Sequence, residues 1–222
     1  HNPRAKRFYL PHWPAPFVIP RNAGRQEVVN IGLLGIPWLR AASVDFWRKV
    51  AQELGMAVID MWSERRWHDY SDIDVLIAIR SFDKRTHNRK PPWKLFLAWQ
   101  ARVPLIAGLD SAYAYEGKPG TNYLVATTPK ELKDRLEALR NDPVLYERII
   151  EDGAQSLRKF TVEKIVERWT EFFADVVIPS FQRYLVEGLR LSEVRRFRVI
   201  ALRQKVRDIV RRVRGLIFSR LC

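Results

Sequence analysis

Apolar residues in this chain follow two periods. Short continuous runs rich in β-branched residues recur at Val28–Leu34, Met56–Met61, Val75–Ile79 and Val103–Ala107. Such runs, bounded by acids, glycine or arginine, predict strands buried on both faces of a parallel sheet. Helical spacing appears between and after them. Val44, Trp47, Val50, Ala51 and Leu54 share one face of a helix over Ser43–Leu54, with Gly55 placed to cap its end. Pro91 and Pro92 suit the first turn of a second helix over Lys94–Arg102, with Leu95, Ala98 and Trp99 on one side. Thr128, Pro129 and Glu131 form the capping-box signature of a third helix over Thr128–Leu139. Asp142–Ile150 predicts a short helix, and Glu151–Val176 one or two amphipathic helices rich in Trp and Phe. Pro179 is expected to break that pattern. Strand and helix thus alternate from Val28 to about Leu139. That order gives an α/β fold with a parallel sheet, flanking helices and right-handed crossovers.

The period changes twice outside this region. Residues 1–26 hold five prolines with interspersed aromatics, which predicts an extended segment lying on a surface. Residues 27–180 form the α/β domain, and residues 181–222 a basic helical extension. In the extension Val199, Leu202, Val206, Ile209, Val213 and Leu216 are spaced alternately by three and four, a single apolar stripe, and arginines occupy the other face.

Charge narrows the partners. The 222 residues carry a net charge of +14, which calls for an anionic partner: a phosphate, a nucleic acid or an anionic membrane. From Phe181 onward 12 Lys/Arg stand against 3 Asp/Glu, so about +9 of that charge lies in the extension. One cysteine, Cys222, forbids an intramolecular disulfide and fits a reducing, cytoplasmic compartment. No run approaches the ~20 apolar residues that span a bilayer. The chain opens at His1 without methionine, as a piece of a longer protein would.

In parallel sheets ligands bind beyond the carboxyl ends of the strands. Here those ends are a cationic loop over Arg80–Lys90 and a polar, glycine-containing loop over Gly108–Asn122, a pairing suited to a phosphate-bearing ligand. Gly35 ends the first strand and would admit a ligand close to backbone. Gly32 and Gly35 alone do not make a dinucleotide fingerprint. Arg80 offers a bidentate clamp for a diphosphate, unless it bonds Asp72 or Asp74. Lys90 and Lys94 share a helix face if the helix starts early, where they would reinforce the free N–H groups of its first turn. Glu116 is the available carboxylate for a sugar or ribose hydroxyl. Tyr113, Tyr115 and Asn122 are candidates to line the same pocket. His68 is a weak candidate base; Asp69 and Asp72 are expected to cap or bridge. No spacing of His, Cys or acidic residues predicts a metal site.

The runs Trp62–Arg80, Lys90–Gly108 and Asp110–Gly117, followed by L-V-A-T-T-P-K-E-L (Leu124–Leu132), N-D-P-V-L-Y-E-R-I-I-E-D-G (Asn141–Gly153) and Trp169, together resemble the C-terminal half of GT-B glycosyltransferases. P-H-W-P (Pro11–Pro14) resembles the inter-domain linker of cyanobacterial-type members. The resemblance covers roughly residues 10–180. It implies a Rossmann-like domain that binds a nucleotide-sugar through Arg80, Lys90, Lys94 and neighbours, with no metal or other cofactor, and transfer of the sugar to a hydroxyl of a glycan or lipid-linked acceptor. It also implies that an N-terminal acceptor domain is missing from this sequence. Two glutamates spaced E-x7-E in the commonest retaining members fall at Arg89 and Leu97 here, so neither is acidic. A non-catalytic GT-B-like scaffold therefore stands as an alternative. The basic extension has three readings: packing on the body or the missing domain, lying on an anionic membrane surface through residues 190–220, or, least expected, binding nucleic acid, for which no recognition motif is present.

Overall fold

The computed structural model describes residues 8–88, 90–187 and 198–205. Two compact units divide the chain, residues 1–167 and 168–222.

The first unit is built on a five-stranded sheet in the order β2-β1-β3-β4-β5, with every pair parallel. The strands are β1 (Asn30–Leu33), β2 (Ala57–Ile59), β3 (Val75–Ala78), β4 (Leu105–Ala107) and β5 (Leu124–Val125). All four residues of β3 are buried, as the unbroken Val-Leu-Ile-Ala run predicts for a central strand covered on both faces. The helices are α1 (Val44–Glu53), α2 (Trp93–Ala101), α3 (Ser111–Glu116), α4 (Pro129–Asn141), α5 (Pro143–Leu157) and α6 (Val162–Phe172), which runs on into the second unit. Ile31, Leu33, Val75 and Ile77 join Trp47, Val50, Leu132, Leu136 and Ile149 in one core cluster. Each such side chain removed from water contributes about 1.5–3 kcal/mol. Phe96, Trp99 and Phe160 form a second aromatic layer, with Phe96 and Phe160 centroids 4.4 Å apart.

The caps follow the sequence closely. Ser43 Oγ accepts from Phe46 N, and Thr128 Oγ1 from Glu131 N. The Glu131 carboxylate reaches back one residue beyond the usual capping box, accepting from the N–H and hydroxyl of Thr127. At the C-terminus of α2, Arg102 takes a left-handed conformation, φ 55°, that usually falls to glycine. Residues 8–26 form no helix or strand beyond one bridge, Ile19 to Asp69, and are tied down through Ile19 N to His68 O and Arg21 N to Ala101 O.

Three differences from the sequence reading have physical reasons. The six-residue α3 lies within the loop read over Gly108–Asn122 and the two-residue β5 follows it, each too short to display a period. Helix α5 extends past Ile150 to Leu157 through Gly153, whose missing Cβ makes room for the Trp99 ring. Pro179 does not end the helical path: a π-helical turn, Phe173–Val177, precedes α7 (Ile178–Glu187). In the wider turn the N–H of Ile178, just ahead of the proline, donates to Phe173 O five residues back.

Within the second unit, Trp169 packs against Phe172 and Phe173, while Phe181, Leu185 and Val186 of α7 are exposed. Residues 198–205 are helical; the rest of the predicted apolar stripe lies outside the described residues. No helix among the described residues is long and apolar enough to cross a membrane.

Candidate functional site

The carboxyl end of β1 turns at Gly35, which has φ +93°. Any Cβ there would overlap the ammonium of Lys94. Lys94 is the second residue of α2, and its buried side chain runs beneath the strand end to donate from Nζ to Leu34 O at 3.3 Å. On the other side of the same turn, Arg40 donates to the carbonyl of Gly35 and to Asp60 Oδ1 at 2.5 Å. Its second terminal nitrogen, Nη1, is buried without a partner. Two cations thus clasp three residues of backbone from Leu33 to Gly35.

Lys94 is the unusual member. No ion pair with a carboxylate forms at Lys94 among the described residues, whereas Arg40 has Asp60 and Arg80 has Asp110. Burial, reinforced by the neighbouring Arg80, Arg40 and Lys90 charges, pushes its pKa down to about 8, with Asp110 opposing. Burial also pushes the Asp60 carboxyl up, but the hydrogen bonds from Arg40 and Ser63 outweigh it and hold the group below its ordinary range. A buried ammonium short of counter-charge favours an anion wherever one can reach it. Helix α2 begins at Trp93 with no side-chain bond from its N-cap Pro92, which leaves donor groups of the first turn at the same end.

The structure places the other candidates differently. Arg80 stands at the end of β3 and bonds Asp110 at 3.0 Å, not Asp72 or Asp74. Those two acids are taken by Arg66 and by Arg21 with Arg25. They serve separate ion pairs instead of forming one carboxylate pair. Asp69 holds Ser71 in a local turn, as expected of a capping residue. Because α2 begins at Trp93, Lys90 lies ahead of the helix and exposed, and it shares no helix face with Lys94. Arg89 is outside the described residues. Glu116 ends α3 and accepts from the Tyr9 hydroxyl; burial raises its pKa, with the Tyr9 hydrogen bond opposing. Tyr113 is buried with its ring edge-on to Tyr123. Tyr115 is exposed against Tyr9. Asn122 is buried and occupied: Oδ1 accepts from Lys118 N, Nδ2 donates to Ser156, and its carbonyl accepts from Trp99. The carbonyl of His68 binds Ile19 N, and its ring meets Trp67. Gly35 and Lys94 therefore come together with Arg80 close by, whereas Tyr113 and Asn122 are held as structural supports.

Two features escaped the sequence reading. Arg40 carried no motif; its only signal was a cation five residues past the Gly35 turn. Beside Gly35 opens a cleft of about 890 Å³ walled by Trp62, Trp67 and Trp93. Tryptophans scattered over thirty residues give no periodic signal of such a meeting.

Gly35→Ala tests the corner directly. The added methyl meets Lys94 in a backbone conformation that alanine avoids, so a stability loss of about 1–3 kcal/mol is expected in urea denaturation, with weaker anion binding in parallel. Unchanged values for both would show that Lys94 does not depend on this turn.

No protein-family model matches the chain, and no curated protein matches it significantly. Solved structures do. HepE of Anabaena, in complex with UDP and glucose, aligns at TM-score 0.50 with 11% identity over 66% of this chain and 48% of that one. The fold is that of a GT-B glycosyltransferase domain. TarM aligns at TM-score 0.48 and 12% identity over 70% of this chain and 37% of its own. The C-terminal domain of the glycosyl transferase group 1 family protein LpcC from Francisella tularensis aligns at TM-score 0.43 and 15% identity, over 64% and 95%. The chain thus spans less than half of HepE or TarM. Leu97, at the second position of the E-x7-E pattern, is buried in α2, where no carboxylate could be held without a partner.

Proposed function

We propose that this chain is the nucleotide-sugar-binding half of a GT-B glycosyltransferase, which passes a sugar from a nucleoside diphosphate to a hydroxyl of a glycan or lipid-linked acceptor held by an upstream domain. The observation that carries the reading is Lys94: a buried ammonium without a carboxylate partner among the described residues, at the carboxyl end of a parallel sheet and against a glycine turn. Its role is to take the charge that develops on the departing diphosphate, with the free Nη1 of Arg40 and the first-turn N–H groups of α2 as further donors. Arg80, steadied by Asp110, and Lys90 add to the same field. Glu116 would reach a sugar hydroxyl only after exchanging its bond from Tyr9. These cations supply the charge that a metal would otherwise bring, so no cofactor enters the reading. The enzyme would work in the cytoplasm, with the basic stretch over 190–220 on an anionic membrane surface.

Calorimetric titration with nucleoside diphosphates and inorganic pyrophosphate tests the site. Binding that weakens about tenfold between pH 7 and pH 9, as Lys94 loses its proton, is the expected result. Absence of binding, both by this chain and with its upstream domain restored, would refute it. The buried Leu97 favours one second reading, a GT-B-like scaffold that binds donor without transferring sugar. Turnover by the two-domain protein would exclude that reading.

A further inference from the structure

The charges around Lys94 do not balance. Its side chain is buried, and Nζ donates to a neutral acceptor, Leu34 O, at 3.3 Å. The charged groups that act on it are Arg80 and Asp110, past the ends of β3 and β4, Arg40 beyond the Gly35 turn, and Lys90 ahead of α2. Arg80 bonds Asp110 and Arg40 bonds Asp60, so those two pairs cancel. Lys94 and the exposed Lys90 are left as unmatched cations among the described residues. A donor is idle as well. Arg40 engages Gly35 O and Asp60 through Nε and Nη2, while its Nη1 is buried without a hydrogen-bond partner.

An amine in this setting has chemistry that a solvated lysine lacks. Burial and the neighbouring cations push its pKa down to about 8. About one such amine in ten therefore carries a free lone pair at pH 7, against fewer than about one in a thousand for an exposed lysine. Nζ occupies the room that a Cβ at residue 35 would fill, and Gly35 also lines the neighbouring apolar cleft. A small uncharged electrophile can approach through that opening. To restore the balance it must leave negative charge behind, where buried charge requires a partner. Carbon dioxide meets both conditions. An aldehyde does not, because its imine is neutral or cationic.

We infer that Lys94 is a carbamylation site, whose Nζ adds carbon dioxide to form a carbamate held by the free Nη1 of Arg40 and the surrounding cations. The neutral amine gives its lone pair to the carbon of carbon dioxide. An N–C bond forms, one C=O π pair moves onto oxygen, and one N–H proton leaves to solvent. The side chain passes from a cation to an anion, and nothing is oxidised or reduced. A corner that attracts a diphosphate then repels it, so carbon dioxide acts as a reversible brake on anion binding. The modification is independent of the diphosphate reading; the brake rests on it.

The test equilibrates the chain with carbon-13-labelled bicarbonate at pH 8 and records the carbon NMR spectrum. A carbamate resonance is expected that disappears in both Lys94→Met and Lys94→Arg. The second variant keeps a cation in place but stays protonated. The terminal amine of the chain also reacts, and its resonance should survive both changes. Trapping with an alkylating oxonium salt, followed by peptide mass spectrometry, should place the adduct on Lys94. No carbamate signal beyond that of the terminal amine, or one that persists in both variants, would overturn the inference. Inorganic pyrophosphate then tests the brake by calorimetry. Its affinity should fall at least about threefold as bicarbonate is raised at constant ionic strength, and nitrate, a planar anion that forms no bond to an amine, should not reproduce the loss. A Lys94 carbamate that leaves pyrophosphate binding unchanged would uphold the modification site and remove Lys94 as the diphosphate anchor.

Discussion

Asp74→Asn should remove about 3–5 kcal/mol of folding free energy, enough to bring a domain of ordinary stability close to unfolding. The Asp74 side chain is fully buried just ahead of β3. It accepts five hydrogen bonds: Arg21 Nε at 2.9 Å, Arg25 Nε at 2.8 Å and Nη2 at 2.7 Å, Val29 N at 3.0 Å and Asn30 N at 2.9 Å. Its carbonyl also accepts from the Tyr146 hydroxyl of α5, and Arg21 lies 5.3 Å over the Tyr146 ring. The carboxylate therefore fastens the N-terminal segment and the approach to β1 to the centre of the sheet, while the carbonyl of the same residue holds helix α5. Asparagine fits the space but turns one acceptor into a donor. It leaves two guanidinium groups, Arg21 mostly buried, without counter-charge. Burial pushes the Asp74 carboxyl up, yet the hydrogen bonds from Arg25, Val29 and Asn30 more than reverse it and hold the pKa below its ordinary value. Its stabilisation is consequently complete above pH ~4 and is lost as pH falls through the depressed folded value. Urea denaturation between pH 7 and pH 3 should give a lower plateau and a shallower acid limb for the variant. A plateau equal to that of the parent would mean that the knot adds nothing to the fold.

That knot marks the boundary between what the residues announce and what they conceal. The strand Val75–Ile79, the face of α1 and the Thr128 cap were legible because each is written locally, in a period or in a side chain that bonds its own neighbourhood. Pairings across dozens of positions were not. Arg80 has acids six and eight residues before it and bonds one thirty residues after it, because β3 and β4 bring Asp110 to its side. Tyr113 and Asn122 looked like pocket residues since they are polar and sit among glycines. In the fold, Tyr113 supports a buried aromatic pair and Asn122 braces the turn before β5. A sequence displays which groups can bond but not which are already occupied. Lys94 was legible as a cation near a helix start. Its burial and its lack of a carboxylate partner among the described residues, the properties that make it a candidate, required the strand end at Leu34 to be in place.

Lys94→Met is expected to have two effects of opposite sign. Nucleoside diphosphate affinity should fall by about ten- to a hundredfold, the worth of one charge-assisted hydrogen bond in a protected site. The unliganded chain should become more stable. Folding lowers the pKa of Lys94 from 10.5 to about 8, which means the folded state holds that proton less tightly than the unfolded chain. Keeping it charged at neutral pH opposes folding by about 3 kcal/mol. Since the unfolded chain binds more protons between pH 8 and 10.5, parent stability should climb across that window, and Lys94→Met should flatten the climb. Methionine keeps the unbranched bulk that lies under Gly35 while removing the ammonium. The two measurements separate the explanations. A lysine retained for packing alone would lose stability on substitution and leave diphosphate binding untouched. A lysine retained for an anion gains stability and loses binding, because the strain of an unneutralised charge in the free protein is what the bound diphosphate relieves.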